Sequence, residues 1–190
     1  MSKVMGIAGS ARRNGNSATL MRAVLKGAAE VGANTSEVYL NGLVYRGCQG
    51  CDRCSSRGTC ILDDELTPVL EGLREATGWV LASPIYYDRA SGQMKSFFDR
   101  CRTFTHDPET QELRPQLDGQ RRAVVILTYE DSLRDDYLRE AETLAKYLAW
   151  MGDFGDVEIV CEPNLGPRDA AAGRPDLLAR AEEIGRRLFG

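Results

Sequence analysis

The sequence predicts an α/β fold, a doubly wound parallel sheet of five strands with helices on both faces. Three observations carry that prediction. Short apolar runs alternate with amphipathic stretches along the chain, as successive strand–helix–strand units require. Turns bearing glycine, proline or asparagine separate most of these segments. The 190 residues, 43 % hydrophobic and 27 % charged, suffice for one domain with a buried core.

Lys3–Ala8 is a mostly apolar run ending in Gly9-Ser10 and reads as the first strand. Asn16–Val31 carries Leu20, Ala23, Val24, Ala28 and Val31 at near-helical spacing, with Asn16 or Ser17 placed to cap it. Asn34–Leu40 is the second strand, and residues 46–62 form a cysteine-rich loop. Asp64–Ala76 reads as a helix with acid in its first turn, where the dipole favours it, and with Pro68 early enough to be tolerated. Gly78–Ser83 is the third strand, expected to stop at Pro84. Ser91–Phe104 is amphipathic, with Met94, Phe97, Phe98 and Cys101 on one stripe. Asp107–Gly119 contains two prolines and reads as a surface excursion. Ala123–Thr128 is the fourth strand, Leu133–Met151 a long helix, Val157–Cys161 the fifth strand and Asp176–Phe189 the last helix.

This succession fits the flavodoxin-like strand order 2-1-3-4-5. Strand 1 then lies between strands 2 and 3, so the segments following all three crowd together at the carboxyl edge. Those segments are the unusual ones in this sequence.

Composition narrows the function. A net charge of −4 gives no general support for nucleic-acid binding. No apolar stretch approaches the roughly 20 residues of a membrane helix. The start of the chain runs directly into a strand without a signal-like apolar segment, so six cysteines point to a reducing cytoplasm. A single histidine, His106, excludes two-histidine metal sites and most histidine-based catalysis.

Four of the cysteines fall within thirteen residues, as Cys48-x2-Cys51-x2-Cys54-x5-Cys60. Thiolates this dense suit a soft metal centre, either an iron–sulfur cluster or structural zinc, while metal-free redox thiols are the other reading. Arg46, Arg53 and Arg57 stand among them and would offset the negative charge of such a centre. Cys101 and Cys161 read as core residues, and His106 as a solvated loop residue.

The turn after strand 1, Gly9-Ser10-Ala11-Arg12-Arg13-Asn14-Gly15-Asn16-Ser17, combines hydroxyls, an amide and a guanidinium at a helix N-terminus. Helix N-termini hold phosphate through backbone N–H groups and the dipole. No Lys follows the glycine as in a nucleotide P-loop, and the dinucleotide spacing is absent. After strand 3, Ser83-Pro84-Ile85-Tyr86-Tyr87 offers an apolar, aromatic shelf able to support a flat ring.

The turn Ser10-x-Arg12-x-x-Gly15-Asn16-Ser17 resembles that of the FMN-binding NAD(P)H-dependent reductases of flavodoxin-like fold. So does Ser83-Pro84-Ile85-Tyr86 followed by Ser91, Lys95, Asp99 and Arg100. The inserted Cys48, Cys51, Cys54 and Cys60, with Asp63-Asp64 behind them, resemble the iron–sulfur flavoproteins of that group. The resemblance implies FMN held at its phosphate by Ser10, Arg12, Asn16, Ser17 and Ala18, with Pro84, Ile85, Tyr86 and Tyr87 bordering the isoalloxazine. It implies a [4Fe–4S] cluster on the four cysteines, NAD(P)H or ferredoxin as redox partner, and a homodimer or homotetramer. The flavin would carry the chemistry, with no catalytic side chain. A cluster-free reductase of quinones, azo or nitro compounds or free flavin is one alternative, and an electron carrier without its own substrate is another. One departure stands out: the loop after strand 4, Thr128-Tyr129-Glu130-Asp131-Ser132, is acidic where the reductases often have a glycine-containing loop.

Overall fold

The apolar runs at the centre of the sheet are buried on both faces, as a parallel sheet covered by helices demands, while Asn34–Tyr39 forms a largely exposed edge strand. The structure, a computed structural model, describes residues 2–132, 134–155 and 157–190. The sheet is built from β1 (Lys3–Ala8), β2 (Asn34–Tyr39), β3 (Gly78–Tyr86), β4 (Arg122–Thr128) and β5 (Glu158–Glu162). The principal helices are α1 (Asn16–Glu30), α2 (Thr67–Glu75), α3 (Gly92–Arg100), α4 (Arg134–Ala149) and α5 (Pro175–Phe189). The expected helix start at Leu133 lies outside the described residues.

These strands pair in parallel in the order β2-β1-β3-β4-β5, as the alternation predicted. Alternate residues of each strand face opposite layers. Ile7, Leu81, Val125 and Leu127 pack with α2, α3 and α4, whereas Val4, Ala8, Val80, Ala82, Val124 and Ile126 pack with α1 and α5. Trp79 and Cys101 are wholly buried in the first layer and Cys161 also belongs to it, while Trp150 stays partly exposed. On the other face α1 and α5 approach closely. A Cβ added to Gly185 would sit 2.0 Å from the Val24 carbonyl oxygen, so only glycine permits this packing.

Three expectations are corrected. Helix α2 begins at Thr67, not Asp64, and has no acid in its first turn. The Asp64 carboxylate is committed elsewhere, accepting from the Leu66 N–H at 3.1 Å and the Arg46 N–H at 3.2 Å. Strand β3 does not stop at Pro84 but runs to Tyr86, with Pro84 opposite Thr128 of β4. Its pairing with β1 ends at Ala8 opposite Ala82, so Pro84 sits where one flank carries no β1 partner and a missing N–H is tolerated. The excursion after Asp107 acquires order, because Leu117–Gln120 pairs with Gly152–Asp153 and His106 bridges to Leu113. Beside it, buried Arg121 donates to the carbonyls of Arg74 at 2.8 Å and of Ala76, closing the end of α2.

Candidate active site and cysteine hollow

Four loops at the carboxyl ends of the strands enclose a cleft of about 300 Å³. The first loop supplies Ser10, Arg12, Gly15, Asn16 and Ser17. Its turn is tight: the Ser10 hydroxyl accepts from the Arg12 N–H at 3.0 Å, and the Gly15 N–H donates to the Arg12 carbonyl at 3.0 Å. A Cβ on Gly15 would stand 3.1 Å from Ser10 Oγ and 3.2 Å from the Arg12 carbonyl oxygen, which explains glycine there. Gly15 also occupies the N-cap of α1 and makes no side-chain cap. Among the described residues no side chain caps the first-turn N–H groups of Asn16, Ser17 and Ala18, which stand open to water or a ligand, and the dipole favours an anion.

Asn16 does something the sequence does not announce. Its buried amide donates to the Leu165 carbonyl at 2.7 Å and the Pro167 carbonyl at 2.8 Å, while its Oδ1 accepts from the Ala171 N–H at 2.9 Å. The side chain thereby ties the first loop to the loop after β5. That second loop contributes Leu165, Gly166 and Arg168 to the cleft, so Arg168 shares the cleft with Arg12. Ala18 is buried in the helix and can offer only its backbone.

The third wall is the end of β3. Pro84, Ile85 and Tyr86 line the cleft, and Tyr87 does not. Ile85 pairs with Ala90 and Tyr86 with Arg89, and both turn residues have positive φ, 49° at Tyr87 and 61° at Asp88. A two-residue hairpin with both centres left-handed matches the strand twist, at a cost for a bulky Tyr. Behind this wall the Ser91 hydroxyl donates to the Gly9 carbonyl at 2.7 Å and caps α3 by accepting from the Met94 N–H at 3.2 Å. Thus the segments after β1 and β3 are locked together.

The acidic loop forms the remaining wall through Thr128, Tyr129 and Glu130. The Leu165 N–H donates to the Tyr129 carbonyl at 2.9 Å, and the Tyr137 hydroxyl donates to Asp131 at 2.7 Å. That bond to Asp131 is the main reason the Tyr137 phenol is pushed up to about 12. The acidic loop was singled out in the sequence without a role for its residues, whereas Leu165, Gly166 and Arg168 escaped sequence reading, because their approach to the first loop exists only after folding. A larger open hollow of about 630 Å³ lies between α3 and α4 against Arg89, Lys95, Glu140 and Tyr147. Its lining includes no helix N-terminus and none of the motif residues of the first loop, so the smaller cleft is the candidate site.

Cys48, Cys51, Cys54 and Cys60 line one compact hollow. None is in a disulfide. Among the described residues no three His, Cys, Asp or Glu side chains already converge as ligands of a single metal ion. Four free thiols around one hollow are the donor chemistry of a cysteine-bound iron–sulfur cluster or of structural zinc. Burial pushes the Cys54 thiol up, with Arg102 opposing. Arg46, Arg53 and Arg57 do not line the hollow; Arg100 from the end of α3 and Arg102 from the turn after it do. Burial works against the charge of Arg100, yet Asp64 and Cys60 hold its pKa above the ordinary arginine value.

Comparison with known proteins agrees with this geometry. The profile of the family described as NADPH-dependent FMN reductase matches residues 2–130. An iron–sulfur flavoprotein of Methanocaldococcus jannaschii is 38 % identical over 100 residues, 53 % of this chain and 52 % of that protein. An iron–sulfur flavoprotein of Methanosarcina thermophila is 33 % identical over 98 residues, 52 % of this chain and 51 % of the relative. The chain thus spans about half the length of the curated relatives it matches. Among solved structures, an NAD(P)H:quinone oxidoreductase from Methanothermobacter marburgensis superposes with a TM-score of 0.74 at 17 % identity, covering 97 % of this chain and 98 % of that one. An FMN-dependent NADH-azoreductase from Bacillus anthracis does so with a TM-score of 0.71 at 18 % identity, covering 100 % of both chains. These two likenesses show the flavodoxin-like fold.

Proposed function

The chain belongs to the NADPH-dependent FMN reductase family, and on that premise we propose that it is an FMN-dependent oxidoreductase whose Cys48, Cys51, Cys54 and Cys60 hold an iron–sulfur cluster. The observation that carries the reading is that one chain builds both places, an anion-cradling cleft with an apolar wall and a hollow lined by four free thiols. When bound, FMN supplies hydride and single-electron chemistry, and a [4Fe–4S] cluster supplies single electrons.

The residues divide the remaining work. Backbone N–H groups of Asn16, Ser17 and Ala18, the Ser10 hydroxyl and the Arg12 guanidinium take the FMN phosphate. Arg168 adds a second cation, and Asn16 keeps it in place through Leu165 and Pro167. Pro84, Ile85 and Tyr86 border the isoalloxazine and shield it from water, whereas Tyr87, expected beside them, stands exposed outside the cleft. NAD(P)H is the donor the family suggests, with ferredoxin as the alternative partner. A homodimer or homotetramer in the cytoplasm, where free thiols persist, completes the proposal. No described helix is long and apolar enough to cross a membrane.

The test is Cys51→Ser in protein purified without oxygen. Loss of iron with flavin retained supports the assignment, and full retention of iron rejects Cys51 as a ligand. A second reading, a reductase without a cluster, draws on the lack of three converging ligands among the described residues. Rapid bleaching of the flavin by NADPH in iron-free protein would favour it.

A further inference from the structure

The loop that carries the cysteines closes over the end of α3, and one side chain of that helix is spent on it. The Arg100 side chain is 0 % exposed, yet it lines the cysteine hollow. Its Nη1 donates to the Arg46 carbonyl at 2.7 Å and to Asp64 Oδ2 at 2.8 Å, and its Nη2 donates to Asp64 Oδ1 at 3.2 Å. The third donor, Nε–H, is buried and meets no acceptor among the described residues. A buried N–H without a partner is rare in native proteins and calls for an acceptor not yet named. Arg102, the other arginine at the hollow, is 41 % exposed and paired with Asp52, so solvent screens it.

We propose that Arg100, clamped by Asp64, is the outer-sphere cation of the cysteine site, supplying buried positive charge and an uncommitted N–H donor to the sulfurs held there. The proposal rests on the iron–sulfur reading given above and extends it to the residue that sets the potential. Reducing the cluster by one electron adds negative charge beside the guanidinium. Charge and hydrogen bonds near the sulfurs tune such potentials, and low-dielectric surroundings strengthen the effect. Arg100 therefore stabilises the reduced form more than the oxidised form. Asp64 partly offsets it while fixing its position. The two residues act with opposite signs on the same couple.

The experiment is a mediator titration of the anaerobically purified full chain, following the reduced cluster by electron paramagnetic resonance and the flavin by its absorbance. Arg100→Gln should destabilise the reduced cluster about tenfold, a shift of about 59 mV to lower potential for one electron. Asp64→Asn, which keeps the shape and removes the negative charge, should move the midpoint upward. Arg100→Lys should return it toward the wild-type value. Iron, sulfide and FMN are counted on every sample. Unmoved midpoints, or both substitutions shifting the midpoint the same way at wild-type iron content, overturn the role of Arg100. Wild-type protein lacking iron and sulfide overturns the iron–sulfur reading itself, and this proposal with it.

Discussion

Replacing Asn16 separates two ways in which this residue could serve the cleft. Its side chain makes three hydrogen bonds, two of them buried: two to carbonyls of the loop after β5 and one from the Ala171 N–H. Each is worth about 1 kcal/mol net, so Asn16→Ala should lower the stability of the flavin-free protein by about 3 kcal/mol. Asn16→Asp keeps the acceptor for Ala171 but turns two donors into an anion facing carbonyl oxygens, and should cost at least as much. Both free the loop that holds Arg168. A charge-assisted bond from Arg168 to a phosphate is worth about 1.5–3 kcal/mol, so FMN affinity should fall about 10- to 150-fold. Urea unfolding of the flavin-free protein and fluorescence titration with FMN measure the two effects. Arg168→Ala in the Asn16→Ala background should then weaken FMN binding little further. An Asn16→Ala protein that unfolds at the wild-type midpoint while losing FMN would refute the reasoning, because the amide would then be touching the phosphate and tying nothing.

Other consequences follow from packing and charge. Burial alone would raise the Asp64 pKa, but Arg100 and the backbone N–H groups of Arg46 and Leu66 hold it below the usual carboxylate range. Its contribution is therefore present above the unfolded pKa of about 4 and is lost as pH falls through the lower folded value. Acid unfolding of the wild type should show this loss, and Asp64→Asn should flatten it. At neutral pH Asp64→Ala leaves Arg100 buried without its counter-charge and should cost about 3–5 kcal/mol, read from the urea midpoint. Gly185→Ala drives a methyl to 2.0 Å from the Val24 carbonyl oxygen, so α1 and α5 must separate. A loss of about 1–3 kcal/mol in thermal unfolding is expected, and an unchanged Tm would contradict the observed helix contact.

Much of the architecture was legible because its cause is local. Runs such as residues 123–127 are apolar throughout, and in a parallel sheet that means burial on both faces. The Met94–Phe97–Phe98–Cys101 stripe sits where the helical period puts it, against the sheet. The cysteines, Ser10, Arg12, Gly15 and the Pro84–Tyr86 wall were legible too, because spacing and turn chemistry mark them.

What was not legible depends on partners far away in the chain. Asp64 reads as helix-start acid until Arg100, 36 residues on, is brought to it. Pro84 reads as a strand terminator until β1 is seen to end short of it. Arg53 and Arg57 are neighbours of the cysteines in sequence but exposed to solvent, whereas Arg100 arrives from the end of α3 and Arg102 from the turn after it. Arg168 carries no local signal at all. Only the Asn16 bonds to Leu165 and Pro167 reveal why it belongs to the cleft.

The central claim is that one chain holds both a flavin and a cysteine-bound cluster. Its most direct test is anaerobic purification followed by a visible spectrum, with FMN, iron, sulfide and zinc counted per chain. One FMN with about four irons and four sulfides, the content of a [4Fe–4S] cluster, is the expected result. FMN accompanied by zinc or by no metal would contradict the claim and leave a flavin reductase whose cysteines serve as structural or redox thiols.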